Sequence, residues 1–489
     1  MQKLSMSLAV LASLCCTAAV QAQAPGRDTL HAYEDGRLPD MFPLTRNPAS
    51  LWQSNRPHYT RVAGGWEHTG GKLRRPMAAA AANHFGIAAA GYAKANGWTY
   101  QGAVSYNKQL EQDVAWSGVY DPYEGNPFLW TDSSSGNWER DHLRVSATVN
   151  TPVFGRRWHA GLNIAYHVGS GARKSDPKPF YRYRNISLAP GLTWKAGKHA
   201  GIGAYGKVQS VQEDNELGFY NTGTGNVLLY RLRGYGTYTR APFVNAERQR
   251  RGMLYEAGAH YSYRKGRLFT LVSIYGAVNE ETVYEGVIKR QAYGYYHENR
   301  FGGAASLFAE GIDRGHFAAI SFDAVNGHAD DVAYHAQTAY STRRRLSAKA
   351  GYWKRNIQLE LRPFLQQDEF ADMATATGFN TTSAGGLLVL NWRKQLSPRT
   401  CLQLKPAAGY RHVLQDSWQQ GASNVIVREL IFPDYRYFAS SRTMASLTCA
   451  YMLHSGLHIT HGIEAHAGGE LGPENTANKT IRLKYSILF

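Results

Sequence analysis

The sequence predicts an all-β protein: a transmembrane, antiparallel, up-and-down β-barrel of about 18 strands, within a range of about 14–18. Three observations carry that expectation. The final stretch, Asn478–Phe489, places Ile481, Leu483, Tyr485, Ile487 and Phe489 on every second residue, with Thr480, Arg482, Lys484 and Ser486 between them. A period of two gives a strand one apolar and one polar face. The chain also begins with a secretion leader, and no later apolar run is long enough for a membrane-crossing helix. Finally, short and long connections alternate, as in a barrel with short periplasmic turns and long extracellular loops. An amphipathic strand at a free sheet edge invites aggregation, and closing the sheet in lipid removes the edge.

In chain order, residues 1–22 read as a signal peptide. Lys3 supplies the positive charge, Leu4–Val20 is uncharged and apolar, and Val20-Gln21-Ala22 puts small residues before a cut after Ala22. Cys15 and Cys16 lie inside that run, but Leu14 is too large for a lipid-attachment site. Residues 23–56 lack strand periodicity and carry Pro25, Pro39, Pro43 and Pro48. The expectation is an irregular periplasmic or lumen-lining segment, with Asn47-Pro48 at the periplasmic mouth.

Residues 57–489 read as the barrel. Leu143, Val145, Ala147 and Val149 alternate with His142, Arg144, Ser146 and Thr148. Ile357, Leu359, Leu361 and Leu365 alternate with Gln358, Glu360, Arg362 and Gln366. Leu457, Ile459, Ile463 and Ala465 alternate with His458, Thr460, Glu464 and His466. Charge on one face only, strand after strand, means that the other face meets no water. Glu360, Arg362, His458, Glu464 and His466 are therefore expected to face the lumen. Short connections fall at Asn96-Gly97, Pro152–Arg156, Gly197-Lys198, Lys265-Gly266 and Lys354–Asn356. Long ones fall at Leu110–Glu139, Gly171–Arg182, Glu213–Arg251, Thr282–Glu298, Ala371–Phe379, Gln415–Phe438 and Glu470–Ala477. Leu73–Ala82 and Val332–Arg345 give no clear face.

Composition agrees. The chain has 31 Tyr, 11 Trp, 18 Phe and 49 Gly, yet its mean hydropathy is −0.42. Alternating lipid-facing and water-facing strands average to that mixture. The formal net charge of +17 is spread over turns and polar faces. It fits lipopolysaccharide phosphates in an outer leaflet better than nucleic acid, which is not expected as a partner. Cys401 and Cys449 fall on opposite strand faces, so no bridge between them is expected.

Candidate chemistry is sparse. Trp116, Tyr120, Tyr123, Phe128, Trp130 and Trp138 crowd one long loop and read as girdle or loop packing. His159 and His167, eight residues apart on one strand, span about 26 Å and cannot share an ion. Asn326–Asp331 holds acid and base residues but reads as a solvated Asn-Gly turn, and no Gly-x-Ser-x-Gly elbow occurs. The expectation is no enzymatic activity, no cofactor and no metal.

Two resemblances add to this reading. The alternation ending in Phe489 resembles the C-terminal assembly signal of bacterial outer-membrane barrels. It implies a Gram-negative outer-membrane location and the barrel-assembly machinery as a partner. Asn47-Pro48-Ala49 near the mature N-terminus resembles the start of the long-chain fatty-acid outer-membrane transporter family. As a whole, Arg46–Phe489 resembles the domain-of-unknown-function families of outer-membrane barrels. The function expected from the architecture is passive transport or binding of a small ligand, hydrophobic ones included. The alternatives are a non-transporting surface scaffold that binds a partner, and a barrel-embedded hydrolase.

Overall fold

A computed structural model of the chain describes residues 40–489 except 55, 219–227, 243–245, 287–288, 310, 312 and 456–458. The expected signal peptide, residues 23–39 and His458 lie outside the described residues. Eighteen antiparallel strands form one sheet, each paired with its neighbours in the chain. The sheet closes where Tyr59–Gly71 pairs with Ala477–Leu488, placing Trp66 opposite Leu483 and Arg61 opposite Leu488. Phe489 extends this seam: its amide donates to the Thr60 carbonyl, 2.8 Å, and its carbonyl accepts from the Thr60 amide, 3.1 Å. Closure leaves no edge, so the backbone polar groups are satisfied within the sheet, as lipid demands.

The outer face is apolar. Ile87 is 64% exposed, Ile274 63% and Ile463 57%, all at outward positions of the alternation. An apolar surface this continuous around a barrel is a lipid-facing belt. Trp98 and Trp158 open the strands that follow two short turns, and Trp158 lies beside Trp194 with ring centroids 6.3 Å apart. They form an aromatic girdle at the short-turn end. The turns there are tight because their residues reach positive φ: Asn96 at 51° and Gly97 at 82° make the two-residue hairpin that matches strand twist. Cys401 is buried on the inner face beside Gln403, while Cys449 is half-buried between outward Leu447 and Tyr451. Both thiols are free.

The strands are longer than alternation alone implied. Lys178–Lys195 begins well inside the segment expected as the loop Gly171–Arg182. Ala200–Gly218 and Ala246–Lys265 likewise consume both ends of Glu213–Arg251. The hydrogen-bond ladder continues above the lipid, where both faces meet water and the periodicity that reveals a strand disappears. Leu73–Ala82 proves to be a connection leading into the strand Ala81–Ala95. Val332–Arg345 is a turn followed by the strand Ala336–Lys354. Asn326–Asp331 is not a turn. It ends the strand Arg314–Asp331, where pairing with Gly294–Asn299 overrides the local turn preference of Asn-Gly.

Candidate functional site

Segments enter the lumen at both ends, and a chamber lies between them. The floor is the segment 40–56 at the short-turn end. Met41–Thr45 is one helical turn, and Met41 is fully buried among Phe269, Leu271, Phe308, Phe317 and Trp353 of the wall. Arg46 ends the turn at φ 58°. Asn47 then caps the next, 3-10 turn (Pro48–Gln53): its Oδ1 accepts the Ala49 amide at 2.8 Å, and Pro48 takes the first position, where no amide is needed.

The same Asn47 side chain holds the floor to the wall. Its Nδ2 donates to the carbonyls of Leu192 and Ala204, both at 3.1 Å. Asn150 Nδ2 donates to the Ala49 carbonyl at 2.9 Å, and Trp52 stacks on His159 at 4.5 Å. The approach requires glycine. A Cβ at Gly191 would sit 2.0 Å from Asn47 Oδ1, and one at Gly161 would sit 2.3 Å from the Ala49 nitrogen.

The roof is built from the long loops. Leu228–Leu232 pairs with Tyr238–Pro242 and with Trp130–Thr131 in a small second sheet. Trp116, Val119, Leu129, Tyr230, Leu232, Ile426 and Leu430 form its apolar core. The aromatics of 110–139 therefore serve mostly as packing: Trp116, Phe128, Trp130 and Trp138 are buried. Charged groups pin the roof to the wall. Arg173 and Asp132 are fully buried partners, 2.9 Å apart. Arg233 meets Asp331 at 2.7 Å, and Asp372 accepts from the amides of Gly236 and Thr237 at 2.7 and 2.8 Å. Arg248 Nη2 donates to the Phe128 carbonyl at 2.8 Å.

Between floor and roof lies a cavity of about 640 Å³. Arg46 reaches it from the floor, Tyr123 and Glu124 from the roof, and Lys207, Glu256, Arg300, Asp323, Arg343, Arg345 and Asp368 from the wall. Its acids are mostly engaged. Glu256 accepts from Tyr205 at 2.6 Å and lies 3.5 Å from Arg46, while Asp323 accepts from Tyr275. Burial pushes the Glu124 carboxyl above its ordinary value, against the pull of Arg250. Two cations differ. Among the described residues no carboxylate lies within 4 Å of the Lys207 or Arg345 head group, and Arg345 only overlies the Phe364 ring at 5.8 Å. A smaller space of about 200 Å³ adjoins the chamber under the roof, sharing Tyr123, Arg343, Gln366 and Asp368. Its remaining lining, including Met77, Leu232, Phe370, Phe379 and Phe438, is largely apolar.

The residues singled out from the sequence lie elsewhere. Ile481, Leu483 and Tyr485 are exposed on the outer face, Ile487 is partly covered, and Phe489 is exposed at the seam. Glu360 is buried on the inner wall 3.2 Å from Lys349 and bonded to Arg362, which is half exposed to the lumen. Glu464 pairs across from Lys484, and His466 Nδ1 lies 2.8 Å from Thr448 Oγ1. None of them lines the chamber. Sequence reasoning missed Arg46, Lys207, Arg300, Asp323, Arg343 and Arg345. The available signal was the run Arg343-Arg344-Arg345 in a segment without a clear face.

Residues 48–489 match the model of a family described as "Family of unknown function (DUF6850)". No curated protein matches the chain. Among solved structures it is similar to the ferric preacinetobactin receptor BauA of Acinetobacter baumannii, with 8% identity, 89% of this chain and 80% of that one covered, and a TM-score of 0.40. It is similar to the outer membrane transporter YddB of Escherichia coli, with 7% identity, coverage of 88% and 81%, and a TM-score of 0.42. A Pseudomonas aeruginosa FadL homologue matches with 12% identity, coverage of 96% and 98%, and a TM-score of 0.34.

Proposed function

We propose that this chain, which belongs to the family of unknown function DUF6850, is an outer-membrane barrel that binds and passes a small ionised solute. The solute class is anionic, or zwitterionic with an exposed anionic group. One observation carries this reading: among the described residues no carboxylate forms a salt bridge with Lys207 or Arg345, because the acids directly across from them, Glu256 and Asp323, are bonded to tyrosine hydroxyls. A cation without a salt-bridge partner favours a solute of opposite sign, and a charged cleft with walls of low dielectric focuses the attraction. The charged lining disfavours a wholly hydrophobic ligand, since polar groups would lose water without gaining a hydrogen bond. The apolar recess under the roof supports a solute with one apolar portion.

The proposed location is the outer membrane of a Gram-negative cell, reached through a cleaved signal peptide and the barrel-assembly machinery. The proposed role is transport rather than catalysis. Floor and roof both reach into the lumen and narrow the path of a solute. Proteoliposome influx of matched anionic and cationic solutes tests the reading. The anion should enter faster, and Lys207→Gln with Arg345→Gln should remove most of the difference. Equal influx for both charges, unchanged by the substitutions, would refute it. No influx at all would favour the scaffold alternative.

A further inference from the structure

On the outer face, above the lipid belt, three side chains converge. His297 and His328 are direct cross-strand partners, and their rings stack with centroids 5.0 Å apart and planes 21° from parallel. Asp330 follows His328 by two residues and so shares its face. The Asp330 Oδ2 atom lies 3.7 Å from His328 Nε2 and 3.9 Å from His297 Nε2. One ligand atom from each residue falls in a group whose members are all within 4.8 Å of one another.

We propose that His297, His328 and Asp330 form a binding site for a divalent transition-metal ion of the Zn²⁺ class. Two imidazoles and a carboxylate are a donor set that such ions prefer. Metal–ligand bonds of about 2.0–2.2 Å in tetrahedral geometry separate ligand atoms by roughly 3.5 Å, close to the spacings found. Neither His–Asp distance is a hydrogen bond, so the carboxylate does not stand here to fix an imidazole directly. All three groups are about 40% exposed, which leaves a face open to water or to an anionic oxygen. The surroundings favour a cation. Glu280 is exposed across from His297, and on the far side Tyr340, which pairs with His328, donates to Glu369 at 3.0 Å. This is an acidic strip on a chain of net charge +17.

Its height on the barrel fits the same use. Phe322 packs against Phe301 in the outward belt, and His328 lies six residues further along the strand, about 20 Å. The site therefore sits at the long-loop rim, where aqueous metal has access. The register places it there: slipping either strand by one residue would turn its histidine into the wall.

The test uses the full-length folded barrel in detergent, with Co²⁺ as a spectroscopic probe and Zn²⁺ as competitor. One Co²⁺ per barrel should give visible absorption bands that Zn²⁺ abolishes. His328→Ala should remove them, and Asp330→Asn should weaken binding by about tenfold or more. His316→Ala, an exposed histidine at the other end of the same strand, should change nothing. Affinity should fall as pH falls, because protons compete for the imidazoles. Heat-modifiable migration checks that each variant is folded. The absence of stoichiometric binding by the folded wild type would overturn the proposal, and so would binding that His328→Ala leaves intact.

Discussion

Asn47→Ala isolates what holds the floor of the chamber. The side chain is fully buried and makes three good hydrogen bonds, two donated to wall carbonyls at 3.1 Å and one accepted from the Ala49 amide at 2.8 Å, besides a marginal contact with His260 Nδ1 at 3.5 Å. At a net of about 1 kcal/mol each, the loss is about 3 kcal/mol of docking energy. Because 1.4 kcal/mol is tenfold, the undocked fraction of the segment should rise on the order of 100-fold. The burial of Met41 and the stack of Trp52 on His159 remain, so the floor loosens rather than leaves. The barrel wall itself loses nothing, and folded yield should be unchanged. Asn47→Asp should loosen the floor further, since it keeps the cap but aims a carboxylate at two carbonyl oxygens. The assay is planar-bilayer recording, counting large openings per channel, with protease cleavage of residues 40–56 as a second readout. If opening frequency and cleavage for both variants stayed within about twofold of wild type, the docking account would be wrong.

Other predictions follow from the wall and the roof. Leu483→Arg puts a charge on the lipid face and should cost about 2–4 kcal/mol at mid-membrane. Arg482→Gln, on the inner face 3.7 Å from Glu67, should be nearly silent. Folded barrel yield in outer membranes compares the two, and equal yields would contradict the assignment of faces. Deleting Phe489 removes two seam hydrogen bonds at an exposed end, so it should slow assembly more than it lowers folded stability. Arg173→Met leaves Asp132 buried without its partner and should cost the roof about 3–5 kcal/mol. Limited proteolysis within 115–135 reads that loosening, while heat modifiability reports an intact barrel.

The wall was legible in the sequence because lipid and water impose a period of two wherever a strand crosses the membrane. Leu483 and Arg482 are neighbours in different solvents, and the residue types record it. The upper strand ends were not legible, because above the lipid both faces are wet and nothing distinguishes Asp214 from Asn215. The floor was legible only as an irregular, proline-rich stretch carrying Asn47-Pro48. Its seat depends on Gly161 and Gly191, direct partners on two consecutive strands that the floor segment reaches only across the lumen of the closed barrel. The chamber was missed for the same reason. Arg345 falls in a stretch without a clear face and Lys207 reads as one cation among many, and their shared level in the lumen depends on shear around the whole barrel. His328 and Asp330 read as part of a solvated turn and His297 as part of the loop Thr282–Glu298, so their meeting across two paired strands was not legible.

The central claim is that the chamber selects by charge, and the reversal potential under a salt gradient tests it most directly. With wild-type barrel in a planar bilayer between concentrated and dilute KCl, current through the openings should reverse at a potential of the sign set by chloride. Lys207→Gln combined with Arg345→Gln should move that potential toward zero or past it. A potassium-selective wild type, or a chloride-selective pore that keeps its reversal potential after both substitutions, would contradict the account.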